Sequence, residues 1–169
     1  MRGPIFLIGC MGSGKTSVGR LLARKARMDF IDLDESIEDE IGMSISNFFN
    51  IHGEKRFREI ESRMFKDVAL RDDVIISCGG GIVLNKNNMS ILRSRGMVIL
   101  LTADLNTLAE RVGNDGSRPL LCTDDKAGRM KQILKDREEL YLYASDVVID
   151  TTGLTVEQVV GTILEKELI

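Results

Sequence analysis

Cysteine and histidine are scarce in this chain of 169 residues. It has three cysteines, an odd number with no Cys-x-x-Cys pair, and one histidine. A zinc site is therefore not expected, because zinc is held by several such side chains at short spacing. A disulfide framework is excluded too, and the three thiols are typical of reduced cysteines in a cytoplasmic protein.

Long hydrophobic runs are also missing. The early apolar run from Ile5 to Ile8 is far shorter than the about 18 residues that a membrane helix needs. Because the run ends at Gly9 and Lys15 follows, it does not resemble a signal peptide either. The sequence has no internal repeat, low-complexity tract or Pro/Ser-rich linker. These absences predict one compact domain over residues 1–169.

Neither sign of charge is in large excess. Lys and Arg total 23 and Asp and Glu total 26, which gives a net charge of -3. Such a balance offers no general electrostatic reason to bind nucleic acid or an anionic membrane. A phosphorylated small molecule is still a suitable ligand, because its site needs only a few local charges.

Five short apolar segments alternate with amphipathic helical patterns. The strand candidates are Pro4–Ile8, Asp29–Asp32, Val74–Ser77, Met97–Leu101 and Val147–Asp150. Each is rich in Val, Ile, Leu or Phe, as buried parallel strands are. The alternation predicts an α/β fold, in which helices cover both faces of a parallel sheet. We expect the ligand at the carboxyl ends of the strands.

The most specific single motif runs from Gly9 to Thr16. The segment GCMGSGKT matches the phosphate-loop pattern G-x-x-x-x-G-K-[ST] in full, after a strand and before a helix. Its glycines let backbone N–H groups face phosphate oxygens, and the helix N-terminus adds partial positive charge. We expect Lys15 to bridge the outer phosphates and Thr16 to bind Mg²⁺. The alternative is a Gly-rich turn between strand and helix.

Other phosphate-loop classes fit less well. A GTPase needs a base-reading N-K-x-D, and the candidate Asn85–Asn88 lacks the Asp. Transport and motor ATPases usually end a neighbouring strand in a magnesium-binding Asp. Here the strand Val74–Ser77 runs into Cys78–Gly81 instead. The acidic group must therefore come from another segment.

Asp32 and Asp34 are candidates for that role. They are two residues apart at the end of a predicted strand, so both can project to the same side. One carboxylate would help to hold Mg²⁺, and the other would face an acceptor hydroxyl. Helix capping explains the segment equally well, because acids are favoured at a helix start.

Arg58 lies one helical turn from both Glu54 and Glu61. Glu61 falls on the apolar stripe formed by Phe57, Ile60, Met64 and Phe65, where an unpaired acid is costly. An arginine fixed by acids is a preorganised fork for a carboxylate. A solvated surface ion pair would explain Glu54 but not Glu61.

Together these motifs resemble the shikimate kinases over nearly the whole chain. After the phosphate loop come FIDLD at Phe30–Asp34, GEKRFR at Gly53–Arg58, CGGG at Cys78–Gly81 and RPL at Arg118–Leu120, in the family's order and spacing. The resemblance implies transfer of the ATP γ-phosphate to the 3-hydroxyl of shikimate, a step of aromatic amino-acid (chorismate) biosynthesis, with Mg²⁺ as cofactor. It also implies a three-layer αβα P-loop fold like that of nucleoside-monophosphate kinases, with strand order 2-3-1-4-5.

The resemblance also implies roles for individual residues. It assigns catalysis to Lys15, Asp34 and Arg118, and the metal to Thr16 and Asp32. Nucleotide binding falls to Gly12, Ser13, Gly14, Lys15, Thr16, Ser17, Arg111, which would stack on adenine, and Arg118, on a lid at about 113–125. Shikimate binding falls to Asp34, Phe49, Phe57, Arg58, Glu61, Gly79, Gly80, Gly81 and Arg137, with a substrate-binding helical segment at about 34–60.

One segment departs from the family, and two other functions stay open. The family often has a basic residue and a proline after the last strand, whereas Thr151–Thr155 has neither. Base contacts there would be backbone or apolar. A gluconate kinase should lack the Arg58 and Arg137 pair, and a regulatory nucleotide-binding module should have lost Asp34 or the lid arginine. We expect a cytoplasmic monomer that uses ATP and shikimate.

Overall fold

A computed structural model describes residues 3–113 and 125–166 of the chain. The strands in these ranges are β1 (Ile5–Ile8), β2 (Asp29–Asp32), β3 (Val74–Ser77), β4 (Met97–Thr102) and β5 (Val147–Asp150). The α-helices are α1 (Lys15–Ala26), α2 (Leu33–Ile41), α3 (Ile45–Val68), α4 (Lys86–Arg95), α5 (Leu105–Val112), α6 (Lys126–Ala144) and α7 (Val156–Glu165), with a short 3₁₀ helix at Ile82–Leu84. All five predicted strands are present, with ends that differ by at most one residue.

The strands form one parallel sheet in the order β2-β3-β1-β4-β5. β1 lies in the centre, where Ile5 is in register with Ile75 of β3 and Met97 of β4. This arrangement confirms the predicted fold and strand order. It places the segments that follow β1, β2 and β3 side by side at the carboxyl edge of the sheet.

The side chains of β1 show how the layers are built. Successive strand residues point to opposite faces, so Phe6 and Ile8 join a core with α2, α3, α4 and α6. Ile5 and Leu7 join a second core with α1 and α7. All four side chains are buried, as expected for a strand covered on both faces. No helix in the described ranges is long and apolar enough to cross a membrane.

Helix α3 is kinked at Gly53, which divides it into two helical segments. Gly53 has φ 76° and ψ 166°, a region in which residues other than glycine are strained. The second segment carries the predicted stripe, with Phe57, Glu61 and Phe65 buried. The kink changes the direction of the chain between Phe49 and Phe57, so that both contact the same cavity.

Candidate active site

A cavity of about 660 Å³ lies at the carboxyl edge of the sheet, as predicted. Its volume is in the usual range for a small-molecule site. The predicted site residues that line it are Gly12, Ser13, Gly14, Lys15, Thr16, Ser17, Asp32, Asp34, Phe49, Phe57, Arg58, Glu61, Gly79, Gly80, Arg111 and Arg137. Gly81 does not line the cavity, because it packs against the Arg58 guanidinium. Arg118 and most of the predicted lid lie outside the described residues.

The phosphate loop joins β1 to α1 at the centre of this edge. Gly9 has φ 139°, and a Cβ there would lie 2.2 Å from the carbonyl oxygen of Leu101, so no other residue fits. Gly14, with φ 92°, precedes the first turn of α1. The Lys15 ammonium donates to the carbonyl oxygens of Gly9 (3.0 Å) and Cys10 (2.9 Å). The Lys15 ammonium therefore lies against the phosphate loop, in a position from which it can reach bound phosphates.

Hydroxyl and carboxylate oxygens meet just beyond this loop. Thr16 Oγ1 donates to Asp32 Oδ2 at 2.6 Å and lies 3.5 Å from Ser77 Oγ. Mg²⁺ prefers oxygen ligands and usually takes one or two protein carboxylates, together with waters and substrate phosphates. The donor set of Thr16 and Asp32 fits that ion. In the described ranges no group of three or more His, Cys, Asp or Glu residues forms a metal cage.

Asp34 lines the cavity, but for a different reason from the one predicted. β2 ends at Asp32 and α2 begins at Leu33, so strand alternation does not apply to Asp34. The capping residue is Asp32, whose Oδ1 accepts from the backbone N–H groups of Asp34 and Glu35. Asp34 is thus held in the first turn of a capped helix, beside the phosphate loop.

Arg58 pairs with both acids that its spacing indicated. Its guanidinium donates to Glu61 at 2.7 Å and to Glu54 at 3.0 Å, and its side chain is mostly buried. Burial alone would lower the pKa of Arg58, but the two carboxylates outweigh burial and raise it. A Cβ on Gly81 would overlap the guanidinium, so this glycine makes room for Arg58.

Glu61 is the most constrained acid of the site. It is 1% exposed, and its Oε1 has no hydrogen-bond partner among the described residues. Burial raises the pKa of Glu61, Arg58 offsets this in part, and Asp34 raises it further. A Cβ on Gly79 would lie 2.7 Å from Glu61 Oε1 and 2.8 Å from Asp34 Oδ1. The missing side chain at Gly79 therefore makes room for both carboxylates.

Arg137 reaches the same cavity from α6. It is 7% exposed and donates from Nη1 to the carbonyl oxygen of Gly80 at 3.0 Å. Arg58 and Arg137 thus place two positive charges at one end of the cavity. The rings of Phe49 and Phe57 form a wall beside them, with centroids 4.9 Å apart.

The opposite end of the cavity is built around Arg111 of α5. Its guanidinium donates to both the hydroxyl and the carbonyl of Thr151, each at 2.8 Å. It also approaches the Gly12 carbonyl at 3.5 Å. Leu154 and Val156 line the cavity nearby. This end is therefore bounded by the Arg111 guanidinium and, after β5, by apolar side chains.

Three contributing residues were not predicted. Ser77 ends β3, Thr151 follows β5, and Tyr141 donates to the Gly80 carbonyl. The first two lie at carboxyl ends of strands, a position that could have marked them as candidates. Tyr141 is four residues after Arg137, on the same face of a helix, which is a weaker signal.

The sheet, the phosphate loop and the two-ended cavity define a P-loop phosphotransferase for a small acceptor. A family model described as Shikimate kinase matches residues 11–167. The chain belongs to the shikimate kinase family, as its motifs suggested, and is an ATP-dependent kinase.

Individual relatives agree with this assignment. The shikimate kinase of Thermodesulfovibrio yellowstonii is 44% identical over 96% of this chain and 93% of its own length. That of Chromobacterium violaceum is 38% identical over 99% and 91%. Among solved structures, shikimate kinase from Acinetobacter baumannii in complex with shikimate superposes with a TM-score of 0.96, at 31% identity over 99% of this chain and 94% of that one.

Proposed function

We propose that this chain transfers the γ-phosphate of ATP to the 3-hydroxyl of shikimate, giving shikimate 3-phosphate and ADP. The observation that carries the proposal is the division of one cavity into two chemically different ends. The phosphate loop lies at one end, Arg58 and the buried Arg137 lie at the other, and Asp34 lines the same cavity. A carboxylate-bearing alcohol fits the second end, because its charge and its hydroxyl each meet a suitable group.

Arg58 and Arg137 bind the shikimate carboxylate. Planar guanidinium groups that already lie in place give bidentate, charge-assisted hydrogen bonds at low ordering cost. Glu54 and Glu61 hold Arg58, and the Gly80 carbonyl holds Arg137. The rings of Phe49 and Phe57 pack against the shikimate ring.

Asp34 orients the 3-hydroxyl and accepts its proton as the oxygen attacks the γ-phosphorus. The bond from that phosphorus to the bridging oxygen breaks, and ADP leaves. A loose phosphoryl-transfer transition state needs little push from the nucleophile, so orientation matters more than basicity. Glu61 contributes to shikimate binding through its ion pair with Arg58, because its own Oε1 is buried.

Lys15 and the backbone N–H groups of the phosphate loop bind the phosphates of ATP. Thr16 and Asp32 would hold Mg²⁺, whose contribution when bound is to neutralise charge on the phosphate oxygens. Arg111 stacks on the base, with its plane fixed by Thr151. The assignment of Arg118 to the transferring phosphate stays a prediction from the resemblance.

Steady-state assays with purified protein test the proposal. With ATP and Mg²⁺, we expect turnover with shikimate and none above background with gluconate, which lacks the rigid ring that spans the arginines and Asp34. Phosphorus NMR of the product should show a new phosphomonoester at the 3-position. Turnover with gluconate alone would favour a gluconate kinase. No turnover with either compound would favour a regulatory nucleotide-binding module.

We further propose that the protein works as a cytoplasmic monomer. The exposed large apolar side chains Ile51 in α3, Leu70 after α3 and Val148 in β5 lie on separate segments, whereas a stable interface needs a contiguous apolar patch. ATP as co-substrate fits the cytoplasm. Light scattering on a sizing column should give a mass near 18.8 kDa; about twice that mass would reject the monomer.

A further inference from the structure

Two side chains of α6 converge on the same backbone oxygen in the cavity wall. The Gly80 carbonyl accepts from Arg137 Nη1 at 3.0 Å and from the Tyr141 hydroxyl at 2.5 Å. The two donors are four residues apart, so they lie on one face of the helix. Arg137 is in the carboxylate end of the cavity, whereas Tyr141 has received no role so far.

The Tyr141 hydroxyl is a permanent donor. Its side chain is 4% exposed and packs in the core beneath the sheet edge, with Cys78 and Ile82 in the same cluster. Burial raises the pKa of Tyr141 well above its usual range. The phenol therefore stays protonated at every pH at which the protein works, and the hydrogen bond to Gly80 does not switch.

This hydrogen bond matters because the segment it holds has no side chains. Gly79, Gly80 and Gly81 have more backbone freedom than any other three residues would have. The peptide between Gly80 and Gly81 is planar, so its carbonyl and its N–H point in opposite directions when it is trans; no cis peptide occurs in the described ranges. Fixing the Gly80 carbonyl toward α6 therefore fixes the Gly81 N–H on the opposite side.

Arg58 packs against Gly81, the next residue of this segment. A Cβ on Gly81 would lie 2.2 Å from Arg58 Nη1, so the guanidinium rests directly on this glycine. A rotation of the Gly80–Gly81 peptide would push the Gly81 backbone against Arg58. It would also move the carbonyl oxygen that accepts the hydrogen bond from Arg137. The peptide between Gly80 and Gly81 therefore contacts both arginines of the carboxylate end.

We propose that Tyr141 is a positioning residue for the carboxylate end of the site, acting through the Gly80 carbonyl to set the geometry of Arg137 and Arg58. The inference rests on the proposed function, since its readout is affinity for shikimate. It does not involve contact between Tyr141 and either substrate.

Tyr141→Phe, compared with Tyr143→Phe, tests the inference. Both tyrosines are on α6, but Tyr143 is 60% exposed, so its change controls for loss of a phenol hydroxyl. For Tyr141→Phe we expect the shikimate KM to rise roughly three- to tenfold, the effect of one neutral hydrogen bond. The ATP KM should stay within about twofold of wild type, and titration calorimetry should show the same loss in shikimate affinity without ATP. Tyr143→Phe should change neither constant.

Any of the following results would overturn the inference. Wild-type shikimate affinity in Tyr141→Phe would mean that the hydroxyl positions nothing. An equal rise in both KM values, together with a lower melting temperature, would mean a general structural role. If the wild-type protein does not phosphorylate shikimate, the proposed function fails first and this inference fails with it. If the wild-type protein phosphorylates shikimate and Tyr141→Phe has the same shikimate KM, the inference fails and the proposed function stands.

Discussion

The side chains of the site are held by neighbours before any substrate arrives. Arg58 is fixed by Glu54 and Glu61, Arg111 by Thr151, and Asp32 by the first turn of α2. Each contact removes rotamer freedom that substrate binding would otherwise have to restrict. We therefore expect single substitutions to change one kinetic constant and to leave the others nearly unaltered.

The two aspartates should differ in the kind of defect they produce. Asp34→Asn keeps the size of the side chain but removes the proton acceptor, so kcat should fall by about 10²–10⁴ while ATP binding survives. Asp32→Asn can still cap α2, but it weakens the metal ligand set, so its defect should ease at high Mg²⁺. Magnesium titrations of kcat for both variants check this. Rescue of Asp34→Asn but not of Asp32→Asn would reverse the roles.

Thr151→Val should affect the nucleotide alone. The change removes the hydroxyl that accepts from Arg111 and donates to the Thr102 carbonyl, whereas the Thr151 backbone carbonyl still accepts. A looser Arg111 should raise the ATP KM roughly three- to tenfold. The shikimate KM should not move, the reverse of the pattern expected for Tyr141→Phe. Initial rates with each substrate varied in turn give the two KM values. A change in both KM values would contradict a role of Thr151 in nucleotide binding alone.

Glu61 gives a pH dependence with a definite sign. Its native pKa is raised above the ordinary 4.5, so the native state keeps the proton to higher pH than the unfolded state. The contribution of this group to stability is therefore lost as pH rises through that window. Glu61→Gln has no proton to lose, so its melting temperature relative to wild type should rise with pH from about 4 upward, at roughly 2–4 °C per kcal/mol. A constant or falling difference between the melting curves would contradict the raised pKa.

Among the elements, α3 has the most particular geometry. Gly53 adopts a positive φ, and a Cβ at this position would meet no atom within 4 Å, so conformation and not space requires glycine there. Gly53→Ala should lower the free energy of unfolding by about 1–3 kcal/mol and raise the shikimate KM, because the kink sets Phe49 against Phe57. Gly161→Ala, in regular α7 and also in open space, should be neutral or stabilising. Denaturant unfolding of both variants checks this, and equal stability would mean that the kink is unstrained.

The element types and the strand ends were predictable, whereas the residue that caps α2 was not. The five strands have short apolar runs between helical stripes, a pattern that depends only on periodicity. The end of β2 depends on which aspartate caps the next helix, and the sequence offers two. Because Asp32 caps α2, Asp34 belongs to the helix, and the strand-based reason for placing it in the site was wrong even though it does line the cavity.

Across the whole molecule, the parallel sheet explains why distant motifs meet. The phosphate loop follows β1, and Asp32 and Ser77 end the adjacent strands β2 and β3, so the strand order brings them to one edge. The phosphate-loop pattern, together with the resemblance to the shikimate kinases, predicted most of the lining residues. The sequence carries weaker signals for Tyr141 and Thr151, because the contacts of these two residues join elements far apart in the sequence.

One substrate pair tests directly whether Arg58 and Arg137 bind the shikimate carboxylate. Initial rates with ATP should be compared for shikimate and for its analogue in which the carboxylate is reduced to an alcohol. Because the two arginines bind that carboxylate, the analogue should lose roughly tenfold to a hundredfold in kcat/KM with wild-type protein, and Arg58→Ala should remove most of the difference. Equal kcat/KM values for the two compounds with wild-type protein would contradict a carboxylate-binding role for the arginines.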